Sequence, residues 1–166
     1  MFLNKEVMLD DMVDIMLEKL NSGGTVTFSP RGKSMLPMLR DGEDVVVLSK
    51  PNGRLHLFDV PLYRRCNGSF ALHRIVNFDV NGNYVLCGDN QFELEHGVKD
   101  SDIIAVMTAF YRKGKAYPVS SFKYKLYINF WYYTKIIRHM YRGSKNRVKR
   151  LFKKENKTDN NEKKSD

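Results

Sequence analysis

The chain is poor in cysteine and tryptophan, and it lacks a long hydrophobic run. Its 166 residues include two Cys and one Trp, too little Cys for a disulfide-dense secreted scaffold or a four-cysteine zinc site. No apolar run approaches the roughly 20 residues of a membrane-spanning helix, and we find neither a signal-peptide pattern nor an internal repeat. The length and the 42% hydrophobic content predict one folded domain with appendages. We therefore expect a cytoplasmic or peripherally membrane-associated protein.

The net charge of +9 is concentrated at one end of the chain. Residues 1–110 hold 11 basic and 15 acidic side chains, whereas residues 111–166 hold 17 basic and four acidic ones. The body of the protein is therefore mildly acidic, which argues against nucleic-acid binding by the bulk charge of the body.

The amino-terminal segment, residues 1–24, is predicted to be an amphipathic helix. Residues 5–20 carry apolar side chains at helical spacing, with acidic residues on the opposite face. Gly23 and Gly24 then end the helix. The acidic face argues against contact with an anionic membrane.

Residues 25–119 carry short β-rich runs separated by turn residues. We expect six or seven strands, among them a single strand over 70–78 and a strand over 60–64 that Pro61 places at an edge or a bulge. Asn81-Gly82 and Lys113-Gly114 are predicted hairpin connections. The pattern indicates a mainly β protein with a small, curved, antiparallel β-domain.

The carboxyl-terminal segment is predicted to form a basic aromatic helix over 120–152 and a disordered tail over 153–166. Residues 122–142 carry apolar and aromatic side chains at helical spacing with Lys and Arg between them. Three interpretations stay open. The helix packs on the β-domain, it lies on an anionic membrane surface through residues 122–152, or, least favoured, it binds nucleic acid.

Three short segments carry side chains suited to catalysis. Ser34 lies on a loop between Gly32 and Pro37, His73 lies within an apolar strand, and Asp89 lies in a Gly-Asp-Asn turn. Each has a simpler interpretation, as a turn serine, a core histidine and an Asx-turn. On strand alternation, His73 shares a face with Ala71 and not with Leu72.

Taken in order, these segments resemble the catalytic boxes of the signal peptidase I superfamily of serine peptidases. The series reads G-K-S-M-L-P, D-G-E-D-V-V-V, D-V-P-L-Y, L-H-R-I-V and C-G-D-N, and it covers about residues 25–107. Phe58 directly precedes the D-V-P-L-Y segment, at a position where the family has glycine. Histidine in the L-H-R-I-V segment, here His73, is typical of the archaeal and endoplasmic-reticulum type of the family. Most bacterial members and the self-cleaving repressors have lysine at this position.

The resemblance implies a role for each site residue. Ser34 would be the nucleophile, His73 the general base, and Asp89 a residue that positions or balances the imidazole. A further acid follows the Gly-Asp-Asn box in the family, and here Glu95, or else Glu93, would take its place. The Ser34 N–H would be an oxyanion donor, and Gly32 occupies the position of a second one.

The same resemblance implies a serine endopeptidase that cleaves an extended peptide or precursor protein without a metal or organic cofactor. The chain departs from the family in two respects, because it has neither the N-terminal membrane anchor of signal peptidases nor the DNA-binding domain of the repressors. A non-catalytic relative that binds peptides or membranes is the alternative. Cys66 and Cys87 have no motif around them and are interpreted as packing residues.

Overall fold

The computed structural model describes residues 13–134. The chain divides into two units, residues 1–128 and 129–166. The described part is mainly β, with a curled antiparallel sheet and two helices, in agreement with the predicted fold class. Residues 5–12 of the predicted first helix, the predicted helical residues after 134 and the predicted disordered tail over 153–166 lie outside the described residues.

Nine strands form two antiparallel sheets in the described part of the chain. The larger sheet has the order β1-β2-β8-β3-β4, with β9 paired to β8, and the smaller sheet has the order β5-β6-β7. The strands are β1 (Val26–Phe28), β2 (Val45–Ser49), β3 (Pro61–Arg64), β4 (Phe70–Leu72), β5 (Arg74–Phe78), β6 (Tyr84–Cys87), β7 (Glu95–Val98), β8 (Ile103–Arg112) and β9 (Lys115–Pro118). A short 3₁₀ helix, Asp100–Asp102, precedes β8.

Both predicted tight hairpins are present. Asn81-Gly82 lies in the β5–β6 connection and Lys113-Gly114 in the β8–β9 connection. Gly82 and both residues of the second pair have positive φ, as these tight turns require.

The two helices flank the β-strands in the sequence. The first, α1, is described over 13–21, where Leu20 is buried in the core and Met16 packs against it. Gly23, with φ of +80°, follows its end and donates its N–H to Leu20, so the predicted glycine terminus is confirmed. The second helix, α2, is Phe122–Tyr133.

The predicted single strand over 70–78 is wrong in one respect that matters for the site. The chain leaves the larger sheet after Leu72 and enters the smaller sheet at Arg74, so that His73 joins β4 to β5. All residues from Ala71 to Val76 are buried, so burial does not alternate along the segment, although Ala71 and Ile75 pack in one hydrophobic cluster and Leu72 packs in the other. The reason is that a strand changing sheets has core on both sides.

Of the two alternatives predicted for the strand that contains Pro61, the edge is wrong, whereas a bulge-like irregularity is present. The strand β3 pairs with β4 on one side and with β8 on the other. Pro61 is tolerated as its first residue, and the register shifts at Leu62/Tyr63. The strand β7, which pairs with β6, was not predicted, because Glu95–Val98 has no run of β-branched or aromatic residues.

Both cysteines are free thiols. Cys87 is buried, as expected of a packing residue, whereas Cys66 is exposed.

Candidate active site

Ser34 lies on a turn whose following residues pack in the hydrophobic core. Met35, Met38 and Leu39 are buried in the larger hydrophobic cluster, whereas Ser34 itself is half-buried. Among the described residues, neither the hydroxyl nor the N–H of Ser34 has a hydrogen-bond partner. A serine with a free hydroxyl on a rigidly anchored loop is suited to nucleophilic attack.

The Gly-Asp-Asn turn is hydrogen-bonded to the backbone at Ser34. The Asn90 N–H donates to the Ser34 carbonyl at 2.7 Å, and Asn90 Nδ2 donates to the Lys33 carbonyl at 3.0 Å. Gly88 lies so close that an added Cβ would be 2.7 Å from the Ser34 carbonyl oxygen and 3.1 Å from Ser34 Cβ. Only glycine fits there, and the turn sets the position of Ser34.

The buried carboxylate of Asp44 stabilises the same loop through hydrogen bonds. Asp44 is fully buried and accepts hydrogen bonds from the Arg40 N–H at 2.9 Å and from Arg112 Nη2 at 2.8 Å. Burial raises the pKa of Asp44, but hydrogen bonds from Arg112 and Arg40 outweigh that effect and hold the pKa at about 2. Arg112 Nη2 also donates to the Met38 carbonyl at 2.6 Å, so this ion pair is tied to the Ser34 loop.

His73 is buried at the junction of the two sheets, and its Nδ1 side is occupied. His73 Nδ1 lies 3.0 Å from Glu95 Oε1 and 3.2 Å from the Tyr63 hydroxyl oxygen. Its other nitrogen, Nε2, has no hydrogen-bond partner in the described part of the chain. An Nδ1–H donated to Glu95 leaves the Nε2 lone pair available, which is the tautomer a general base needs.

Burial lowers the pKa of His73 below its usual 6.5, and Glu95 partly offsets this by favouring the charged form. The same balance includes the Arg65 cation, which also lowers this pKa, and the more weakly acting Asp89 carboxylate, which raises it. The imidazole is therefore neutral at pH 7.

Glu95 is held in place by two side chains that the sequence analysis did not identify. Arg65 Nε and Nη2 donate to its two oxygens at 2.7 and 2.5 Å, and the Tyr63 hydroxyl donates to Oε2 at 2.7 Å. Chiefly through the Arg65 hydrogen bonds, the pKa of Glu95 falls to about 2, so the carboxylate remains ionised beside His73. Tyr63 lies in β3 and Arg65 follows the end of that strand, two residues later, a spacing that places side chains on one face of an extended chain.

Of the two acids considered in the sequence, Glu95 is the one that lies at the imidazole. Glu93 is exposed, and its carbonyl accepts a contact from the Cys87 thiol at 3.2 Å. The strand β7 begins at Glu95 and pairs with β6, and this pairing brings the carboxylate to His73.

Asp89 has a different partner from the one expected. Its two oxygens accept hydrogen bonds from Arg74 Nε at 2.7 Å and Nη2 at 2.8 Å, in a buried pair. Arg74 also donates to the Phe58 carbonyl at 2.9 Å and contacts Met38 Sδ and the Tyr124 hydroxyl. Asp89 thus connects the Gly-Asp-Asn turn to the Ser34 loop through Arg74, and it reaches His73 by charge only.

Phe58, which precedes β3, has a φ of +75°. This left-handed conformation favours glycine and costs other residues about 1–2 kcal/mol. The Phe58 N–H donates to the Ile75 carbonyl at 2.9 Å, and the ring packs against the core. These contacts hold the strained backbone that presents the Phe58 carbonyl to Arg74.

Ser34 and His73 line one cavity of about 360 Å³. Phe28 of β1 and the three residues of β4 line it as well, and in the described sheets each of these strands pairs on one side only. The cavity is thus bordered by two open strand edges, to which an extended peptide can add.

The two expected oxyanion donors differ in availability. The Gly32 N–H donates to Asp41 Oδ1 at 3.0 Å, so that amide is engaged, and Gly32 serves the loop through its φ of +101°. The Ser34 N–H remains the free donor at the nucleophile position.

Comparison with known proteins adds no family assignment. The chain matches no family model, no curated protein and no solved structure. Within residues 13–134, no three His, Cys, Asp or Glu side chains are placed to hold a metal ion. No helix in that part of the chain is long and apolar enough to cross a membrane.

Proposed function

We propose that this protein is a signal-peptidase-like serine endopeptidase that cleaves an extended peptide or precursor segment. The observation that carries the proposal is the shared cavity of Ser34 and His73. Ser34 has a free hydroxyl and a free N–H, and His73 has its Nδ1 on an ionised carboxylate. Nucleophile, base, base-orienting acid and oxyanion donor are the parts that acyl transfer requires.

In this mechanism the substrate adds as a strand along β4 or β1, with its scissile carbonyl at Ser34. His73 Nε2 takes the hydroxyl proton as Ser34 Oγ bonds to the carbonyl carbon, and the Ser34 N–H stabilises the oxyanion. The imidazolium, stabilised by Glu95, then protonates the leaving amine, which departs and leaves an acyl-enzyme. Water, deprotonated by His73, then attacks the ester carbonyl carbon, and the imidazolium returns the proton to Ser34 Oγ as the bond from Oγ to the acyl group breaks and the carboxylic product departs.

A second candidate function is a non-catalytic peptide-binding module of the same architecture. It is favoured by the absence of a direct hydrogen bond between Ser34 and His73 among the described residues. Hydrogen bonds of this kind are often long in ligand-free enzymes and tighten on substrate binding. The two functions can therefore be distinguished by whether Ser34 reacts covalently with a serine-directed probe.

The test uses a serine-reactive phosphonate probe and intact-mass spectrometry. We expect one adduct on the unaltered protein, none on Ser34→Ala, and strongly reduced labelling of His73→Ala. Ser22→Ala and His56→Ala are matched controls, because both residues are exposed and neither lines the cavity. Equal labelling of Ser34→Ala and the unaltered protein would refute the nucleophile assignment.

Peptide binding without an adduct would support the non-catalytic module instead. The substrate itself can be captured on the Ser34→Ala protein, which keeps the cavity and loses the nucleophile. A captured peptide that the unaltered protein leaves intact contradicts the peptidase proposal.

A further inference from the structure

The helix α2 has apolar side chains on two opposite faces. One face is buried, with Tyr124 and Ile128 in the core of the β-domain. On the other face Phe122 is 78% exposed and Leu126 is 59% exposed. Exposure of two large apolar side chains one helical turn apart is unfavourable in free energy relative to their burial.

We call this exposed apolar pair, Phe122 and Leu126, the α2 stripe.

Lysines border the stripe on both sides. At about 100° per residue, Lys123 lies to one side of Phe122 and Lys125 to the other, and both are exposed. The helix contains no acidic residue. An apolar stripe with a cation on each side is typical of a helix that lies in a membrane interface.

The surrounding sequence has the same charge. From Phe122 to Lys154 the chain contains eleven Lys and Arg and no Asp or Glu. Each such cation near an anionic bilayer strengthens binding about fivefold. The positive charge of residues 122–154 is thus complementary to anionic lipid.

Two other occupants fit the stripe less well. A second copy of this chain would bring Lys123 and Lys125 of both helices together with no acid on either helix to pair with them. A nucleic acid would stack on Phe122, but the aliphatic Leu126 beside it has no π-face for a base.

We propose that the α2 stripe docks on an anionic phospholipid membrane, with Phe122 and Leu126 at the headgroup–acyl boundary and Lys123 and Lys125 at lipid phosphates. This proposal does not depend on peptidase activity, because Phe122 and Leu126 do not line the Ser34 cavity.

The test is flotation of the full chain with vesicles of phosphatidylcholine, with or without phosphatidylserine. We expect binding to the anionic vesicles that weakens with added salt and is much weaker on pure phosphatidylcholine. The double variant Phe122→Ser/Leu126→Ser should lower partitioning at least tenfold. The double variant Lys123→Gln/Lys125→Gln should lower it by a similar factor.

The matched control is Leu57→Ser/Val80→Ser, which removes exposed apolar side chains outside α2 and should float like the unaltered protein. Thermal unfolding and phosphonate labelling should be unchanged in all three variants, because each altered side chain is exposed. The proposal is overturned if the unaltered chain does not float with anionic vesicles, or if the Phe122→Ser/Leu126→Ser variant floats equally well. It is also overturned if that variant only converts a dimer to a monomer, or only abolishes oligonucleotide binding.

Discussion

Replacing Gly88 with alanine tests whether the position of Ser34 matters for chemistry. Real Cβ atoms hardly ever approach another heavy atom closer than 3.0 Å, and an alanine Cβ at position 88 would lie 2.7 Å from the Ser34 carbonyl oxygen. The Gln91 side chain, 2.6 Å from the same Cβ, can rotate away. The Ser34 carbonyl cannot do so freely, because the Asn90 N–H holds it at 2.7 Å.

The Ser34 backbone must therefore move by at least a few tenths of an ångström. Overpacking of this kind costs about 1–3 kcal/mol of folding free energy. Because a misplacement of about 1 Å can lower a rate about a hundredfold, we expect the rate of phosphonate labelling to fall about tenfold. Stopped labelling time courses give this rate, and thermal unfolding gives the stability.

Gly24 provides the matched control. An alanine Cβ there would lie 2.9 Å from the Lys19 carbonyl oxygen and 3.1 Å from Lys19 Cγ, a similar crowding at the end of α1. Gly24→Ala should lose comparable stability and label at the unaltered rate. If Gly88→Ala unfolds like Gly24→Ala and also labels at the full rate, the inference that the Gly-Asp-Asn turn positions a reactive Ser34 is wrong.

Four further predictions concern the charged groups at and near His73. Glu95→Gln removes a charge-assisted contact to the imidazolium worth about 1.5–3 kcal/mol, so labelling should slow at least tenfold, whereas Glu93→Gln should have no effect; equal rates in both variants would contradict the role of Glu95. Because burial lowers the pKa of His73, a pH–rate profile should remain flat below pH 6.5 before it declines in acid, and a half-maximal rate above pH 7 would contradict a neutral base. The same shift means that the unfolded chain binds a proton near pH 6.5 that the folded chain resists, so this histidine should lower the stability measured by urea unfolding as the pH falls below about 6.5. Asp89→Asn leaves the buried Arg74 cation uncompensated and should cost about 3–5 kcal/mol in urea unfolding, a loss that Glu93→Gln should not reproduce.

Comparison of sequence and structure separates local features from long-range ones. The Asn81-Gly82 and Lys113-Gly114 hairpins were predicted because glycine readily takes the positive φ that such turns use, as Gly82 and Gly114 do. The glycine end of α1 follows from the same local preference. The placement of Ser34 and His73 in one cavity is a long-range feature, because the two residues belong to segments that are far apart in the sequence.

The charged cluster around His73 could not be derived from local pattern. The sequence left Glu93 and Glu95 open, and the β6–β7 pairing brings Glu95 to the imidazole. Tyr63 and Arg65 reach the same carboxylate from β3 and the turn after it, about thirty residues earlier in the chain. Hydrogen bonds between side chains so far apart in sequence leave no periodicity in either segment.

The sequence by itself determined most element types, the tight turns and the uneven charge, since these depend on the properties of neighbouring residues, whereas Ser34 and His73 became candidates through the resemblance of their segments to a known family. Only the tertiary structure decided that the chain changes sheets at His73, that Asp89 pairs with Arg74 while Glu95 faces the imidazole, and that Phe122 and Leu126 point away from the core. Each of these depends on which strands pair and which face of a helix is covered. Such long-range choices are made by the packing of the whole domain.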